Sequence, residues 1–354
     1  MSGGVDSSVA AKLLCDAGHE CTGCTLRLYV AEDAGLPREG GCCSLDDCFD
    51  ARSVAYSLGM RYFVLNFTEE FRERVMAGFA ASYRRGETPN PCIDCNRFIK
   101  FGALMRRAEL LGFDAVATGH YARIGFENGR YTLMKAADAS KDQSYVLYAM
   151  TQEQLARTLF PLGGLTKTQV RKIAAQSGFI NARKPDSQDI CFVPDGDCAA
   201  AVERISGVKN RPGRFVDTQG RTLGTHAGAE RFTIGQHRGL GIPLPAKRFV
   251  CGIDPESGDV TLSEESGLYS RDAVLRDLNW ISGTAPDAPL RCMAKTRYRA
   301  PESAATVYPA GDGRWRLVFD EPQRAITPGQ AAVLYIGEYV LGGGTICRAQ
   351  REEK

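Results

Sequence analysis

The chain has 354 residues, of which 44% are hydrophobic and 24% charged, with a net charge of +2. This composition is typical of a soluble globular protein, and the length predicts two or three domains. No apolar run approaches the length of a membrane span and no signal peptide opens the chain, so we expect a cytoplasmic protein with no membrane partner. Thirteen cysteines in a reducing compartment favour catalysis, sulfur handling or metal binding over structural disulfides.

Helices and strands alternate through the first half of the sequence. Predicted helices cover residues 9–17, 44–59, 69–85 and 97–111, and predicted strands cover residues 24–30, 62–67 and 115–117. The second of these helices opens on a capping box formed by Ser44 and Asp47. This alternation predicts an α/β fold with a parallel sheet that is covered by helices on both faces.

A predicted hairpin at residues 121–135, turning at Asn128-Gly129, interrupts this alternation. Helices return at residues 143–148, 152–158 and 168–177. After residue 205, short alternating runs separated by turn residues indicate two small β-rich modules. The expected domains are therefore residues 1–204, a central β module at 205–270 and a β-barrel-like module at 271–354.

A glycine-rich loop, Ser2–Ser8, directly precedes the first amphipathic helix. Gly3 and Gly4 let backbone N–H groups close around an anion, and the helix N-terminus favours negative charge. The chain contains no Gly-Lys dipeptide, which excludes a Walker A loop. A strand is expected before such a loop, but only Met1 stands there. We therefore expect either a shortened start or a sheet that lacks one central strand.

Cys92 and Cys95 lie three residues apart in a proline-stiffened segment before a predicted helix. A thiol at a helix start has a lowered pKa, so Cys95 is a candidate thiolate. Cys191, in a buried-looking Ile-Cys-Phe segment, is the third candidate. The alternative for the Cys-x-x-Cys pair is a structural zinc half-site, with Cys21 and Cys24 as the other half.

The zinc alternative is disfavoured because residues three apart on a strand point to opposite faces. The remaining cysteines are interpreted as structural or as small buried hydrophobic residues. The cysteines interpreted as structural flank a predicted helix start, and they are Cys42, Cys43 and Cys48.

Ten segments in shared order resemble the tRNA-specific 2-thiouridylase family across nearly the whole chain. These segments are Ser2–Ser8, Thr88–Phe101, Ala117–Arg123, Lys141–Tyr145, Phe160–Gly163, Ser187–Cys191, Thr233–Gly241, Lys295–Arg299, Thr327–Gln330 and Gly342–Thr345. The resemblance implies an adenine nucleotide α-hydrolase-like domain that thiolates the wobble uridine of certain tRNAs.

The resemblance also implies roles for individual residues. The implied ATP-binding residues are Met1, Ser2, Gly3, Gly4, Val5, Asp6, Ser7, Leu26 and Gly119. Those implied to face the target base are Asn90, Pro91 and Cys92, and those implied to contact tRNA are Lys141, Asp142, Gln143, Arg297 and Tyr298. His120 and Gln330 are implied supporting residues. Leu26 stands where the family usually has Met, a volume-conserving exchange.

The implied reaction has two steps and uses ATP with Mg²⁺. The uridine 2-oxygen attacks the α-phosphate, which releases pyrophosphate and leaves an adenylated base. Sulfur then enters C2 from a persulfide on Cys191, and Cys95 acts as the nucleophile that forms a Cys95–Cys191 disulfide. A cysteine desulfurase or a sulfur-relay protein is the implied donor.

Other hypotheses remain open. Many family members have Asp where this chain has Cys92. With Cys92, this chain has three thiols, Cys92, Cys95 and Cys191, and three thiolates could bind a [4Fe–4S] cluster and leave one iron open. A ligase-type or amidotransferase-type ATP pyrophosphatase has the same kind of loop as Ser2–Ser8, which we call the phosphate loop, but needs no reactive cysteines. A non-catalytic, RNA-binding zinc protein is the third hypothesis, and it leaves the Ser2–Ser8 loop unexplained.

Overall fold

The computed structural model of the protein describes residues 1–35, 45–186 and 190–347. Four predicted features therefore lie outside the described residues. They are the helix cap at Ser44, the cysteines Cys42 and Cys43, and the part of the last cysteine motif at residues 187–189.

Helices dominate the first 206 residues. The α-helices of the described residues are α1 (Val5–Asp16), α2 (Leu45–Ser57), α3 (Thr68–Phe71), α4 (Ala77–Arg84), α5 (Pro91–Asp94), α6 (Leu104–Leu110), α7 (Gln152–Ala156), α8 (Lys167–Gln176) and α9 (Cys198–Ser206). Segments of π-type helix at Arg72–Met76 and Cys95–Ala103 join α3 to α4 and α5 to α6. Short 3₁₀ turns occupy Ala31–Ala34, Ser144–Leu147, Ala229–Arg231 and Glu265–Leu268.

The strands of the described residues fall into four sheets. They are β1 (Thr22–Arg27), β2 (Arg61–Asn66), β3 (Val116–Ala117), β4 (Arg123–Glu127), β5 (Arg130–Met134), β6 (Thr158–Leu159), β7 (Gly213–Val216), β8 (Thr222–His226), β9 (Phe249–Ile253), β10 (Val260–Ser263), β11 (Tyr269–Trp280), β12 (Leu290–Lys295), β13 (Ser303–Pro309), β14 (Trp315–Arg324), β15 (Ala331–Ile336) and β16 (Tyr339–Ile346). β1 pairs in parallel with β2, and β3 pairs in parallel with β6. The predicted parallel pairing is confirmed, but as two separate two-stranded ladders.

Helices cover both faces of the β1–β2 ladder, as predicted. Leu26 of β1 packs with Phe71 and Ile99 from the helices at residues 68–84 and 91–110. Gly23 points to the opposite face, because residues three apart on a strand alternate. There a Cβ on Gly23 would lie 3.3 Å from the side chain of Ala55 in α2. The sheet therefore separates two helical layers.

The helix that carries the first cysteine pair begins earlier than predicted. Residues 91–110 form one continuous helix through α5, the π-type segment and α6. The Asn90 side chain caps it by accepting a hydrogen bond from the backbone N–H of Cys92, and Pro91 occupies the first helical position. These are strong start signals, so the predicted start at Arg97 was wrong by six residues.

The hairpin β4–β5 belongs to the C-terminal sheet rather than to the α/β layers. It turns at Asn128 and Gly129, whose φ angles of 51° and 76° are those of the predicted two-residue turn. Its strand β5 pairs antiparallel with β16, through Leu133 and Val340. A segment of the first half thus extends the sheet formed by the last third of the chain.

The two β modules were predicted correctly as β-rich. The central one is a four-stranded sheet in the order β8-β7-β10-β9, packed around Phe215, Val250 and Val260. In the second, the strands run β11-β14-β13-β12-β15-β16, and β16 also pairs with β11. That last pairing closes a six-stranded barrel, filled by residues such as Leu317 and Leu334.

The barrel docks on the loop that precedes the cysteine helix. Thr88 donates its backbone N–H to the carbonyl of Pro328 (2.8 Å), and Gln330 Nε2 donates to the carbonyl of Thr88 (2.6 Å). Gly329 has a φ of +86°, and a Cβ there would lie 2.8 Å from Glu87 Cβ. The contact leaves no room for a side chain at Gly329.

Candidate functional site

The Ser2–Ser8 loop turns tightly into α1. Gly3 has a φ of +73°, and a Cβ on it would lie 2.4 Å from the Asp47 carbonyl oxygen, so only glycine fits. Gly4 is the N-cap residue of α1 and offers no side-chain cap. First-turn N–H groups of an uncapped helix are donors for an anion. Ser7 Oγ accepts from the Ser2 N–H (3.1 Å) and donates to the Gly4 carbonyl (3.0 Å), which stiffens the loop.

The other implied ATP-binding residues lie close to this loop or beside it in the sheet. A Cβ on Gly119 would lie 2.8 Å from the Asp6 carbonyl carbon and 2.9 Å from the Ser7 nitrogen, so Gly119 touches the loop backbone. Met1 lies against β1, where Thr25 Oγ1 donates to its carbonyl (2.6 Å). Leu26 lies one residue before the end of β1. The structure therefore brings the implied ATP residues to one edge of the parallel strands.

The phosphate loop is also held by a residue that no sequence motif singled out. Asn181 Nδ2 donates to the Gly3 carbonyl (2.9 Å) and to Ser8 Oγ (2.9 Å). The Asn181 side chain is buried, and its Oδ1 has no hydrogen-bond partner among the described residues. Because Asn181 is far from the loop in sequence and lies in no recognisable motif, only the tertiary fold identifies it.

Cys92 and Cys95 lie one helical turn apart and in different environments. The Cys92 side chain reaches the surface in the first turn, but the protein atoms around its thiol take part of its hydration away, and this desolvation raises the pKa of the thiol against the opposing charge of Lys100. Cys95 lies beyond that first turn, where the effect of the helix terminus fades, and its side chain is buried. The prediction that the helix start activates Cys95 thus rested on the incorrect boundary at Arg97.

The third cysteine is flanked by residues of the apolar cluster that contains Cys95. Cys191 is exposed, while the next residue, Phe192, is buried in the same apolar cluster as Cys95. Tyr29 donates its hydroxyl hydrogen to the carbonyl of Cys191. Residues on both sides of Cys191, Ile190 and Phe192, therefore belong to the apolar cluster that contains Cys95.

An ion-pair network lies behind the phosphate loop. Lys167 Nζ contacts both oxygens of Asp6 (2.8 Å each) and Asp186 Oδ1 (2.7 Å). Tyr121 donates its hydroxyl hydrogen to Asp6 Oδ1 (2.8 Å), and Lys141 contacts Asp186 Oδ2 (2.8 Å). Burial opposes ionisation of Asp186, but Lys141 and Lys167 hold its pKa at about 2. Lys167 and Asp186 carried no sequence signal, since their partners are distant along the chain.

The implied tRNA-contacting residues near Lys141 also shape the protein itself. Asp142 accepts from the Ala136 N–H (2.9 Å), and Gln143 Oε1 accepts from the Tyr121 N–H (3.0 Å). Tyr298 of the barrel donates its hydroxyl hydrogen to the Asp142 carbonyl (3.1 Å). The Tyr298 contact joins the barrel to the α/β layers.

The side chain of Arg297 is partly buried and bonded to other parts of the protein, whereas a residue that binds tRNA is expected to be exposed. Its Nη2 donates to the carbonyls of Ile234 (2.9 Å) and Ala325 (3.1 Å) and to Thr327 Oγ1 (2.5 Å). Burial, followed by the charge of Arg324, lowers its pKa. The guanidinium therefore joins the central module to the barrel, and its implied contact with tRNA stays a prediction.

His120 lies in an apolar pocket beside the phosphate loop. Its ring packs against Phe101 and Phe160, both at 5.9 Å between ring centroids, and its Nδ1 lies 2.7 Å from Thr118 Oγ1. Burial, and then the charge of Lys100, lowers the pKa of His120 well below its usual value. The imidazole is therefore neutral at physiological pH.

Metal-ligand clusters and membrane-spanning helices are both absent from the described residues. No group of three or more His, Cys, Asp or Glu side chains is gathered there so that it could hold a metal ion. Cys92, Cys95 and Cys191 are all described, so they do not form such a group in this structure, nor do Cys21 and Cys24 with the first pair. Within the same residues, no helix has the length and apolar character needed to cross a membrane.

The α/β layers, the phosphate loop and the two appended β modules define a nucleotide-binding class of enzyme, and comparisons with known proteins agree. Residues 1–195 match a family described as tRNA methyl transferase HUP domain. Residues 202–264 match the tRNA methyl transferase PRC-barrel domain, and residues 270–346 match the aminomethyltransferase beta-barrel domain.

Relatives of nearly full length make the assignment specific. The tRNA-specific 2-thiouridylase MnmA of Moorella thermoacetica is 53% identical over 98% of this chain and 98% of its own. Proteins of the same name from Symbiobacterium thermophilum (49% identical, 99% of this chain and 91% of theirs) and Acetivibrio thermocellus (48%, 98% and 97%) are similar. The domain descriptions name methyl transfer, but the full-length relatives are thiouridylases. The chain belongs to the tRNA-specific 2-thiouridylase family and is a tRNA sulfurtransferase.

Proposed function

We propose that this protein thiolates the 2-position of the wobble uridine of tRNA in an ATP-dependent reaction. The observation that carries the proposal is the apolar cluster that Phe192, the residue after Cys191, shares with Cys95, in a domain whose first helix opens on a glycine-rich loop with free N–H donors. Membership of the thiouridylase family supports the substrate class, and the two thiols support sulfur transfer rather than another adenylation reaction.

In the first step, the uridine 2-oxygen attacks the α-phosphorus of Mg-ATP, and pyrophosphate leaves. The uncapped start of α1 supplies donors for the phosphates. Gly3 and Gly119 let the loop pack closely against the Asp47 backbone and against residue 119, which holds the loop in its tight turn. Adenylation converts the 2-oxygen into part of a good leaving group, AMP.

In the second step, the terminal sulfur of a persulfide on Cys191 attacks C2 and expels AMP. The Cys95 thiolate then attacks Cys191 Sγ and breaks the sulfur–sulfur bond. The electron pair of that bond goes to the sulfur on C2, which becomes the thiocarbonyl, and a Cys95–Cys191 disulfide remains. An external thiol reductant returns two electrons, and a cysteine desulfurase or sulfur-relay protein reloads Cys191.

This assignment differs from an iron–sulfur mechanism in the number of thiols it needs. A [4Fe–4S] cluster requires Cys92, Cys95 and Cys191 to converge, and the described residues contain no such group. The persulfide route needs only two cysteines that approach in turn. We therefore derive no step through a cluster.

The test uses unmodified tRNA, Mg-ATP, a cysteine desulfurase and cysteine, followed by mass analysis of the nucleosides. The wild type is expected to form 2-thiouridine, and Cys191→Ser and Cys95→Ser are expected to form none. Cys347→Ser, a partly exposed cysteine of the barrel, is the matched control and is expected to retain activity.

Two results contradict the proposal. Thiolation that survives Cys191→Ser removes the persulfide, and a ligase-type pyrophosphatase then becomes the better assignment. Activity that tracks stoichiometric iron in anaerobically purified protein, and that needs Cys92 as well, replaces the persulfide by the cluster.

A further inference from the structure

Asn181 reaches the phosphate loop from a turn that is itself held in place. The turn follows α8, and in it the Lys184 N–H donates to the Asn181 carbonyl (3.0 Å). Phe179, two residues earlier, packs in one apolar cluster with Val5 of α1. Asn181 is only 2% exposed. Its side chain is therefore fixed relative to the loop and to the helix that the loop opens.

The Asn181 side chain acts on the loop as a donor only. Its Nδ2 donates to the Gly3 carbonyl and to Ser8 Oγ, both at 2.9 Å. Its Oδ1 has no hydrogen-bond partner among the described residues. Because a backbone carbonyl can only accept, the amide nitrogen and not the oxygen must face Gly3. The carboxamide thus leaves its own acceptor unpaired while it holds the Gly3 carbonyl.

The direction of the Gly3 carbonyl sets the direction of the next backbone N–H group. The peptide bond between Gly3 and Gly4 is trans, so its C=O and its N–H point in opposite directions. Since the carbonyl points to the buried Asn181, the Gly4 N–H points away from it. Within the part of the chain that the structure describes, this N–H has no hydrogen-bond acceptor. It is therefore a free donor at the start of α1.

Without a partner for the Gly3 carbonyl, this peptide unit would not keep one orientation. Gly3 has a φ of +73°, and glycine populates positive and negative φ about equally readily. With glycine on both sides, the peptide plane can turn over at little cost. A reversed peptide would present the Gly3 carbonyl oxygen where the Gly4 N–H now points, and an oxygen there would repel an anion.

We propose that Asn181 is a positioning residue for ATP, which keeps the Gly4 N–H turned toward the bound phosphates by holding the Gly3 carbonyl. Asn181 itself touches neither the nucleotide nor the tRNA. It lies outside the ten segments that resemble the family, so no motif assigns it this role. The inference rests on the proposed function, because it takes the phosphate loop as the ATP site.

The experiment measures by calorimetry how the full chain binds Mg²⁺ with an ATP analogue that has a methylene group between its α- and β-phosphorus atoms. Asn181→Leu keeps the approximate shape of the side chain and removes both donors. We expect its Kd to rise about fivefold or more, with the same number of sites per chain as the wild type. A merely structural role would instead reduce the number of competent sites and leave the Kd unchanged.

Asn181→Asp provides a second readout, since it has nearly the same shape as asparagine. An ionised carboxylate repels the Gly3 carbonyl, whereas a protonated one can donate a single hydrogen bond to it. The Kd of Asn181→Asp relative to the wild type is therefore expected to fall between about pH 8.5 and about pH 6, because burial raises the pKa of a carboxyl group. The same ratio for Asn181→Leu is expected not to change with pH.

Asn210→Leu is the matched control. The Asn210 Nδ2 also donates to a backbone carbonyl, that of Ala199 in α9 (3.1 Å), and its Oδ1 is likewise unpaired among the described residues. The control thus removes the same kind of hydrogen bond without touching the phosphate loop. It is expected to bind the analogue with the Kd of the wild type.

The outcomes separate this inference from the proposed function. A wild type that binds no ATP analogue contradicts the proposed function itself. If the wild type binds it and Asn181→Leu has the same Kd, whether at full or at reduced stoichiometry, only the positioning role is overturned. Should Asn181→Leu not fold, Asn181→Asp decides, and a Kd ratio to the wild type that does not change with pH overturns the inference.

Discussion

Phe192 anchors the cysteine that we assign as the persulfide carrier, and its removal is therefore expected to affect both stability and chemistry. The side chain is 1% exposed and meets Phe71 and Phe79 edge-on, with ring centroids 5.7 and 5.1 Å away. Replacing a fully buried phenylalanine by alanine costs about 3–5 kcal/mol, including about 0.5–1.5 kcal/mol for each edge-on ring pair.

The lost packing energy affects the short segment that carries Cys191, so we expect a specific effect on the chemistry of that cysteine. With Phe192→Ala, residues 190–193 lose the ring that packs against Phe71 and Phe79 in the apolar cluster that also contains Cys95. We expect the free energy of unfolding to fall by about 3 kcal/mol or more. We also expect the Cys95–Cys191 disulfide to form more slowly, because the two thiols meet less often.

Urea denaturation followed by circular dichroism measures the first effect, and diamide oxidation with mass spectrometry of the linked peptides measures the second. Phe319→Ala is the matched control, since Phe319 is 2% exposed in the barrel, away from both cysteines. It is expected to destabilise the protein by a comparable amount and to leave the disulfide rate unchanged. If Phe192→Ala has the wild-type disulfide rate under conditions where it is folded, Phe192 does not position Cys191.

Three further changes have defined outcomes. Gly119→Ala places a Cβ 2.8 Å from the Asp6 carbonyl carbon, so ATP affinity measured by calorimetry should fall about tenfold or more; Gly164→Ala, with no neighbour within 4 Å, should leave the affinity unchanged. His120 has a lowered pKa, so the unfolded state takes up a proton first, and stability should decline as pH falls below the unfolded pKa of about 6.5. Melting curves at pH 7.5 and 5.5 should show a smaller decline in His120→Gln, and an equal decline would refute the assignment. Glu87→Gln weakens the paired contact with Arg276 (2.9 and 3.2 Å) and should lower the free energy of unfolding by about 1.5–3 kcal/mol; an unchanged urea midpoint would contradict this.

Features that depend on local spacing could be predicted from the residue order. The phosphate loop, the β4–β5 hairpin and the motif order can be recognised without a fold, because turn glycines, helix periodicity and cysteine spacing are local properties. The start of the helix that carries Cys92 and Cys95 could also be predicted from local residues, since Asn90 and Pro91 are strong start signals. Its predicted start was wrong because the prolines were interpreted as part of a loop.

Which distant residues share the site depends on the fold. Lys167 and Asn181 reach the phosphate loop through contacts with Asp6 and Gly3, which lie 161 and 178 residues away along the chain, and no local pattern encodes such a separation. The same holds for β5, which leaves the α/β layers to pair with β16. Strand pairing and ion pairing depend on where the fold places each partner, so they could not be predicted from residue order alone.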